Sequence, residues 1–162
     1  MATYTTNLNL KKPTTSEMYN VLDWNNNSDK IDAAYGTLNS QMTVLGSIVN
    51  GTNIESSVSV PNGTATAISS LELTKGKWVI VGCIDWSGNA SGYRQIAIGN
   101  ATNPGRPLAS TTLPPSDTSK QTYQQITRLL STNGETITFY ALQNSGSALT
   151  AYPYSYAIKV GN

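Results

Sequence analysis

The chain has 162 residues, enough for one compact domain with an appendage but not for two full domains. Only 12% of them are charged, and the net charge of +1 comes from scattered residues with no basic stripe, which excludes nucleic acid as the partner. There is no His and a single Cys, which excludes His-based catalysis, nearly every zinc site and any intrachain disulfide.

Residues 1 to about 13, MATYTTNLNLKKP, are rich in Thr and Asn and read as an extended arm. This start has no apolar core of the signal-peptide kind, and no apolar run is long enough to span a membrane, so neither a leader nor membrane insertion is expected. Residues from about 14 to 50 read as helical. Thr14 and Glu17 have capping-box spacing, and Asn20 is placed to cap a second start before VLDWNNNSDKID. Apolar residues then repeat in alternating steps of four and three. Trp24, Ile31, Leu38 and Leu45 form one series; Tyr35, Met42 and Val49 interleave, with Ser28 a polar intruder. A sustained period of 3.5 residues is the template of a coiled coil, the alternative being a single amphipathic helix packed on its own domain. Gly36, Gly46 and the many Asn and Ser make this a poor helix on intrinsic grounds, so it needs packing partners. The bulky Trp and Tyr of the seam favour three strands over two.

Residues 53–162 read as all-β, with strands expected near 54–60, 64–71, 76–86, 93–99, 107–112, 119–131, 135–143 and 149–160. PNGT, TKGK, TNGE and NSGS supply the turn signals. This number of short strands suits a jelly roll. In KWVIVGCIDW, Trp78, Ile80, Ile84 and Trp86 share one face, while Val79, Val81, Cys83 and Asp85 share the other. In the last strand, Tyr152, Tyr154, Tyr156, Ile158 and Val160 share one face; Ala151, Pro153, Ser155, Ala157 and Lys159 share the other. Consecutive same-face tyrosines are too many phenols for a core, where each hydroxyl needs a buried partner. A subunit interface is the expectation, and a core with its hydroxyls at the rim is the alternative.

The stretch CIDWSGNASGYRQIAIG, residues 83–99, concentrates the candidate chemistry. A sugar ring needs an aromatic face to stack on and polar groups for its hydroxyls. Trp86 and Tyr93 supply the first, and Asp85, Asn89 and Arg94 the second, as a candidate saccharide site. The competing reading is structural: Trp86 shares the parity of Trp78, SGNASG is an ordinary hairpin connection, and Arg94 suits an ion pair at a subunit boundary. Asp85, Ser87 and Asn89 have the spacing of a calcium loop but lack its distant Glu and most of its carboxylates, so no metal is expected. The sequons at Asn62, Asn89 and Asn100 are of the kind an Asn/Thr-rich chain holds by chance. Cys83 has the parity of a strand interior and no base beside it in sequence, so it reads as a small buried hydrophobe; no enzyme activity and no cofactor are expected. The loop at 100–118, with Arg106, Asp117 and several prolines, is a second candidate pocket.

Residues 7–33, NLNLKKPTTSEMYNVLDWNNNSDKIDA, resemble the N-terminus of phage tail-fibre and baseplate receptor-binding proteins. The matching pattern is an LKKP arm, then YNV, an Asp-aromatic-Asn triplet, and DKID in the helix. LTKGKWVIVGCIDW, GYRQIAI and SYAIKV are similar to the C-terminal knob of such fibres, a jelly roll of the TNF/C1q kind. The resemblance implies a mainly β, homotrimeric protein with an attachment arm (1–20), a trimeric coiled-coil helix (21–50) and a jelly-roll knob (53–162). It implies that the arm docks on a phage tail or baseplate protein, that the knob binds host-surface saccharide, and that the aromatic C-terminal strand lines the threefold axis. The trimer-interface residues would then be Trp24, Ile31, Tyr35, Leu38, Met42, Leu45, Tyr152, Tyr154 and Tyr156. The location implied is the virion, assembled in the host cytoplasm. The alternatives are a structural virion decoration with no receptor, and a non-viral carbohydrate-binding or adhesion module.

Overall fold

The computed structural model describes residues 3–12, 14, 20–52, 56–100, 107–115, 117–118 and 121–162. The chain forms two compact units, residues 1–45 and 46–162.

In the first unit the arm is not extended. Strands β1 (Thr3–Tyr4) and β2 (Lys11–Lys12) pair antiparallel as a hairpin. Its loop is closed by Thr5 N–H donating to Leu10 O and Asn9 N–H donating to Thr5 O, with Asn9 at φ 51. Asn tolerates that left-handed conformation. The hairpin is tied to helix α1 (Val21–Val44) by an amide that imitates a strand. Asn27 accepts from Lys11 N–H through Oδ1 and donates to Lys11 O through Nδ2, both at 3.0 Å. Lys11 Nζ pairs with Asp23 Oδ2 at 2.5 Å, and Lys30 Nζ donates to Asn9 O at 2.7 Å. Asp23, Asn27 and Lys30 are the helix residues that hold this arm, which accounts for the polar face of VLDWNNNSDK.

Asn20 caps α1 as expected, its Oδ1 accepting from Leu22 N–H at 2.9 Å. Glu17, expected to form a capping box with Thr14, lies outside the described residues. The helix stops at Val44, short of the expected residue 50. Leu45 is already extended, and Gly46 takes φ 80, the left-handed conformation that ends helices and that Gly adopts without strain. Val49, expected in the helical seam, instead pairs with Ala157 in a sheet. No residue of α1 is buried.

The second unit contains β3 (Ile48–Asn50), β4 (Val58–Val60), β5 (Thr66–Trp86), β6 (Arg94–Asn100), β7 (Ala109–Leu113), β8 (Thr122–Gln143) and β9 (Leu149–Gly161). They hydrogen-bond in the order β3-β9-β5-β8-β6-β7, with β4 also on β9. β5 and β8 pair from Thr66↔Ala141 to Trp86↔Thr122. Residues 74–77 (TKGK) and 132–135 (TNGE), expected as turns between separate strands, are bends inside these two continuous ones. Gly76 at φ 146 and Gly134 at φ 108 carry the distortion. The inward parity inverts there on both strands. On β5 it passes from Leu71 and Leu73 to Trp78 and Ile80, and on β8 from Gln124 and Ile126 to Ile137 and Phe139.

That inversion folds the sheet into a sandwich. β3, β4, β9 and the adjoining halves of β5 and β8 form one layer; the other halves, with β6 and β7, form the second. Trp78, Ile80, Trp86, Ile96, Ile137 and Phe139 fill the space between, each side chain worth about 2 kcal/mol when taken from water. Gly82 sits opposite Phe139: a Cβ there would lie 2.2 Å from Phe139 Cε1, so the ring occupies the place of a side chain. No described helix is long and apolar enough to cross a membrane.

Candidate functional site

Strand alternation separates the five residues expected to bind saccharide. Trp86 is 0% exposed, its Nε1–H donating to Gln124 Oε1 at 2.7 Å. Gln124 in turn donates to Arg94 O and Thr111 O. Arg94 is also 0% exposed and props up the loop above it: Nη1 donates to Ser91 O at 2.9 Å and Nη2 to Asn89 O at 2.7 Å. Its Nε has no partner, and burial pushes the guanidinium below its ordinary pKa. Asn89 accepts from Ser91 N–H, and Ser87 Oγ from Thr150 N–H. Tyr93 is half-buried, its N–H held by Asn144 Oδ1 at 2.6 Å. The stretch is therefore a self-bonded loop standing on a buried arginine. Trp86 and Arg94 present nothing to a ligand, which corrects the expectation for both, while Asp85 points to the opposite side of the sheet. Of the second candidate loop, Asp117 is exposed and Arg106 lies outside the described residues.

Arg94→Ala will leave the Asn89 and Ser91 carbonyls without their donor and open a void, costing about 3 kcal/mol in urea denaturation. Arg94→Met fills the space and removes the buried charge, so its cost will be about half of that.

The outer face of the β8-β5-β9 layer holds the remaining chemistry. Tyr152, Tyr154, Tyr156, Ile158 and Val160 point away from the core, while Ala151, Pro153, Ser155, Ala157 and Lys159 are buried, as the alternation predicts. The register sets the neighbours across β5. Asp85 lies between Tyr123 and Tyr152, and Cys83 between Gln125 and Tyr154. Val81 lies between Thr127 and Tyr156, and Val79 between Leu129 and Ile158. Tyr123 is 58% and Leu129 66% exposed, and Ile48, opposite Ile158, is also exposed. The Tyr154 and Tyr156 rings stand 5.7 Å apart, tilted by 57°.

At one end of this face a cleft of about 240 Å³ is lined by Cys83, Ile84, Asp85, Tyr123, Tyr152, Pro153 and Tyr154. The Tyr123 hydroxyl is pushed up to about 12, chiefly by its hydrogen bond with Cys83, then by burial and by the charges of Cys83 and Asp85. It is a neutral donor at every physiological pH. The ion pair described above, Lys11–Asp23, does not involve Asp85, which has no ion-pair partner among the described residues. Sequence reasoning does not find Tyr123 or the role of Cys83, because only the β5–β8 register brings them beside Asp85.

No protein-family model matches the chain, and no curated protein sequence matches it. Among solved structures it is similar to the TNF protein Eiger from S. frugiperda, with a TM-score of 0.51 and 9% identity over 72% of this chain and 93% of that one. It is also similar to VP2 of infectious bursal disease virus in a subviral particle, with a TM-score of 0.50 and 11% identity. That match covers 71% of this chain, which spans 33% of the VP2 chain. The fold is a jelly-roll-like β-sandwich. At such identities the likeness extends to the fold alone, and it bears out the expected mainly-β jelly-roll class.

Proposed function

We propose that the chain is a phage virion protein of the tail or baseplate whose knob, residues 53–162, assembles as a homotrimer and recognises saccharide on the host-cell surface. The N-terminal hairpin provides attachment to the tail or baseplate protein.

The observation that carries the reading is helix α1, which runs Val21–Val44 without one buried residue. Trp24, Ile31, Tyr35, Leu38 and Met42 are all at least half exposed along one seam, with Leu45 just beyond the helix. The helix does not sustain itself. Ser28, Thr37, Ser40 and Thr43 bond back to the carbonyls four residues earlier, an arrangement that bends and weakens helices. A helix of this composition is marginal in water without a partner for its apolar stripe. Tyr156, Ile158 and Val160 of β9, with exposed Leu129 of β8, offer the second unit an apolar face of the same kind. VP2, of like fold, occurs in a subviral particle.

Size-exclusion chromatography with light scattering will return a trimer at micromolar concentration, and the purified chain will bind host cells; a monomer overturns the assembly reading. The alternative of a virion decoration with no receptor is favoured by one observation, the burial of Trp86 and Arg94 out of reach of any sugar. A trimer that binds neither cells nor a glycan array decides for that alternative. Binding to glycans by a chain that never enters phage particles decides for a non-viral adhesion module.

A further inference from the structure

The outer face changes character along its length. In one half its rows are aliphatic or neutral, with Val81, Thr127 and Tyr156 in one row and Val79, Leu129 and Ile158 in the next. A second copy of the chain can cover such a surface. The other half carries Asp85, which has no ion-pair partner among the described residues. Covering that half with a copy of itself would bury an unpaired carboxylate, among the costliest contacts a protein can make, and a threefold axis would bring three of them together. The Asp85 end of the face therefore stays wet.

The cleft at that end is built for positive charge. Neighbouring strands lie roughly 4.8 Å apart, so Tyr123 and Tyr152, flanking β5, are separated by about 9.6 Å at the backbone with Asp85 between them. Both tyrosines and Tyr154 line the cleft together with Asp85 and Cys83. Phenol rings on either side of a carboxylate are the groups that recognise an alkylated ammonium ion. A neutral sugar ring would stack on the same rings but leave the carboxylate uncompensated.

We propose that the Tyr123–Asp85–Tyr152 cleft binds an organic ammonium group of the choline or amino-sugar type. That such a group is carried by a host-surface polymer rests on the reading of the knob as host-binding; the site itself does not. The test is calorimetry on the full chain with choline chloride, tetramethylammonium chloride, glucosamine hydrochloride and glucose at matched ionic strength. Choline or glucosamine will bind with a Kd on the order of 1 mM, and affinity will fall as salt is raised. The two arms distinguish a methylated from a primary ammonium. Asp85→Asn and Tyr123→Leu will each weaken binding roughly tenfold while light scattering stays unchanged. No heat from any of the three cations, glucose binding as tightly as choline, or an Asp85→Asn variant that binds like the parent overturns the proposal. If Asp85→Asn abolishes ammonium binding yet leaves host-cell adsorption untouched, the site stands and its link to the receptor falls.

Discussion

Trp86→Ala will destabilise the second unit by about 5 kcal/mol, the largest loss expected from any single substitution in this chain. Deleting a fully buried indole costs about 3–5 kcal/mol through lost transfer energy and the cavity left behind. The Nε1–H bond to Gln124 adds to this, because its loss orphans a buried amide oxygen at about 1–3 kcal/mol. The damage spreads, since Gln124 also donates to the backbone of Arg94 and Thr111 and so ties β8 to β6 and β7. A total near 5 kcal/mol equals the whole stability of many domains, so the variant will be largely unfolded at moderate urea. Trp86→Phe keeps most of the bulk and loses the hydrogen bond, and about 2 kcal/mol is expected. Urea denaturation followed by circular dichroism checks both values. A loss below about 2 kcal/mol for the alanine variant would show that the cavity collapses and that Trp86 is not the keystone of the β5–β8 layer. The same result bears on function: weaker cell binding by Trp86→Ala would report unfolding and not a lost sugar contact.

How far this molecule could be read from its residues depends on whether a feature is local. The alternation of β9 is local, and it places every tyrosine and its buried neighbour correctly. The shared parity of Trp86 and Trp78 also lies in the sequence, and it was the better guide to Trp86 than the polar company around it. The bends of β5 and β8 are different. Residues 74–77 and 132–135 carry the Gly of true turns, and only the pairing Thr74↔Gly134, across sixty residues, makes them two halves of one fold line. The apolar spacing continues through Leu45 and Val49, so it extends the expected helix past its true end at Val44. Those side chains belong to the helix exit and to β3, and Gly46 marks the break. The arm hairpin depends on Asn27 reaching back to Lys11, a contact no pattern announces. The cleft shares that difficulty. The sequence singles out Asp85 as a polar group for sugar hydroxyls, whereas only a register that long-range packing decides brings Tyr123 beside it.

In the proposed trimer, replacing Ile31 and Leu38 together with Lys will dissociate the assembly and melt α1 in the same step. Both side chains lie in the seam at about half exposure, 50% and 55%, in the single chain. Full burial of each is worth roughly 2 kcal/mol and about half of that is left to gain on assembly, so six removed per trimer amount to about 6 kcal/mol before the repulsion among the new charges. An assembly of ordinary strength does not survive that at micromolar concentration. The helix will go with it, because Asn25, Asn26, Asn27, Gly36 and Asn39 give it a poor intrinsic propensity and no residue of it is buried. The β-sandwich will remain, since its core draws on no residue before Val49. Light scattering and ellipticity at the helical minimum, measured on one sample, must therefore fall together while the near-ultraviolet signal of buried Trp78 and Trp86 persists. Tyr156→Lys separates the two surfaces. If it alone dissociates the protein while the helix variant stays trimeric, assembly runs through the tyrosine face and α1 is a passenger. A parent chain that is monomeric with full helical ellipticity would remove both surfaces from the account at once, because a helix stable alone needs no seam.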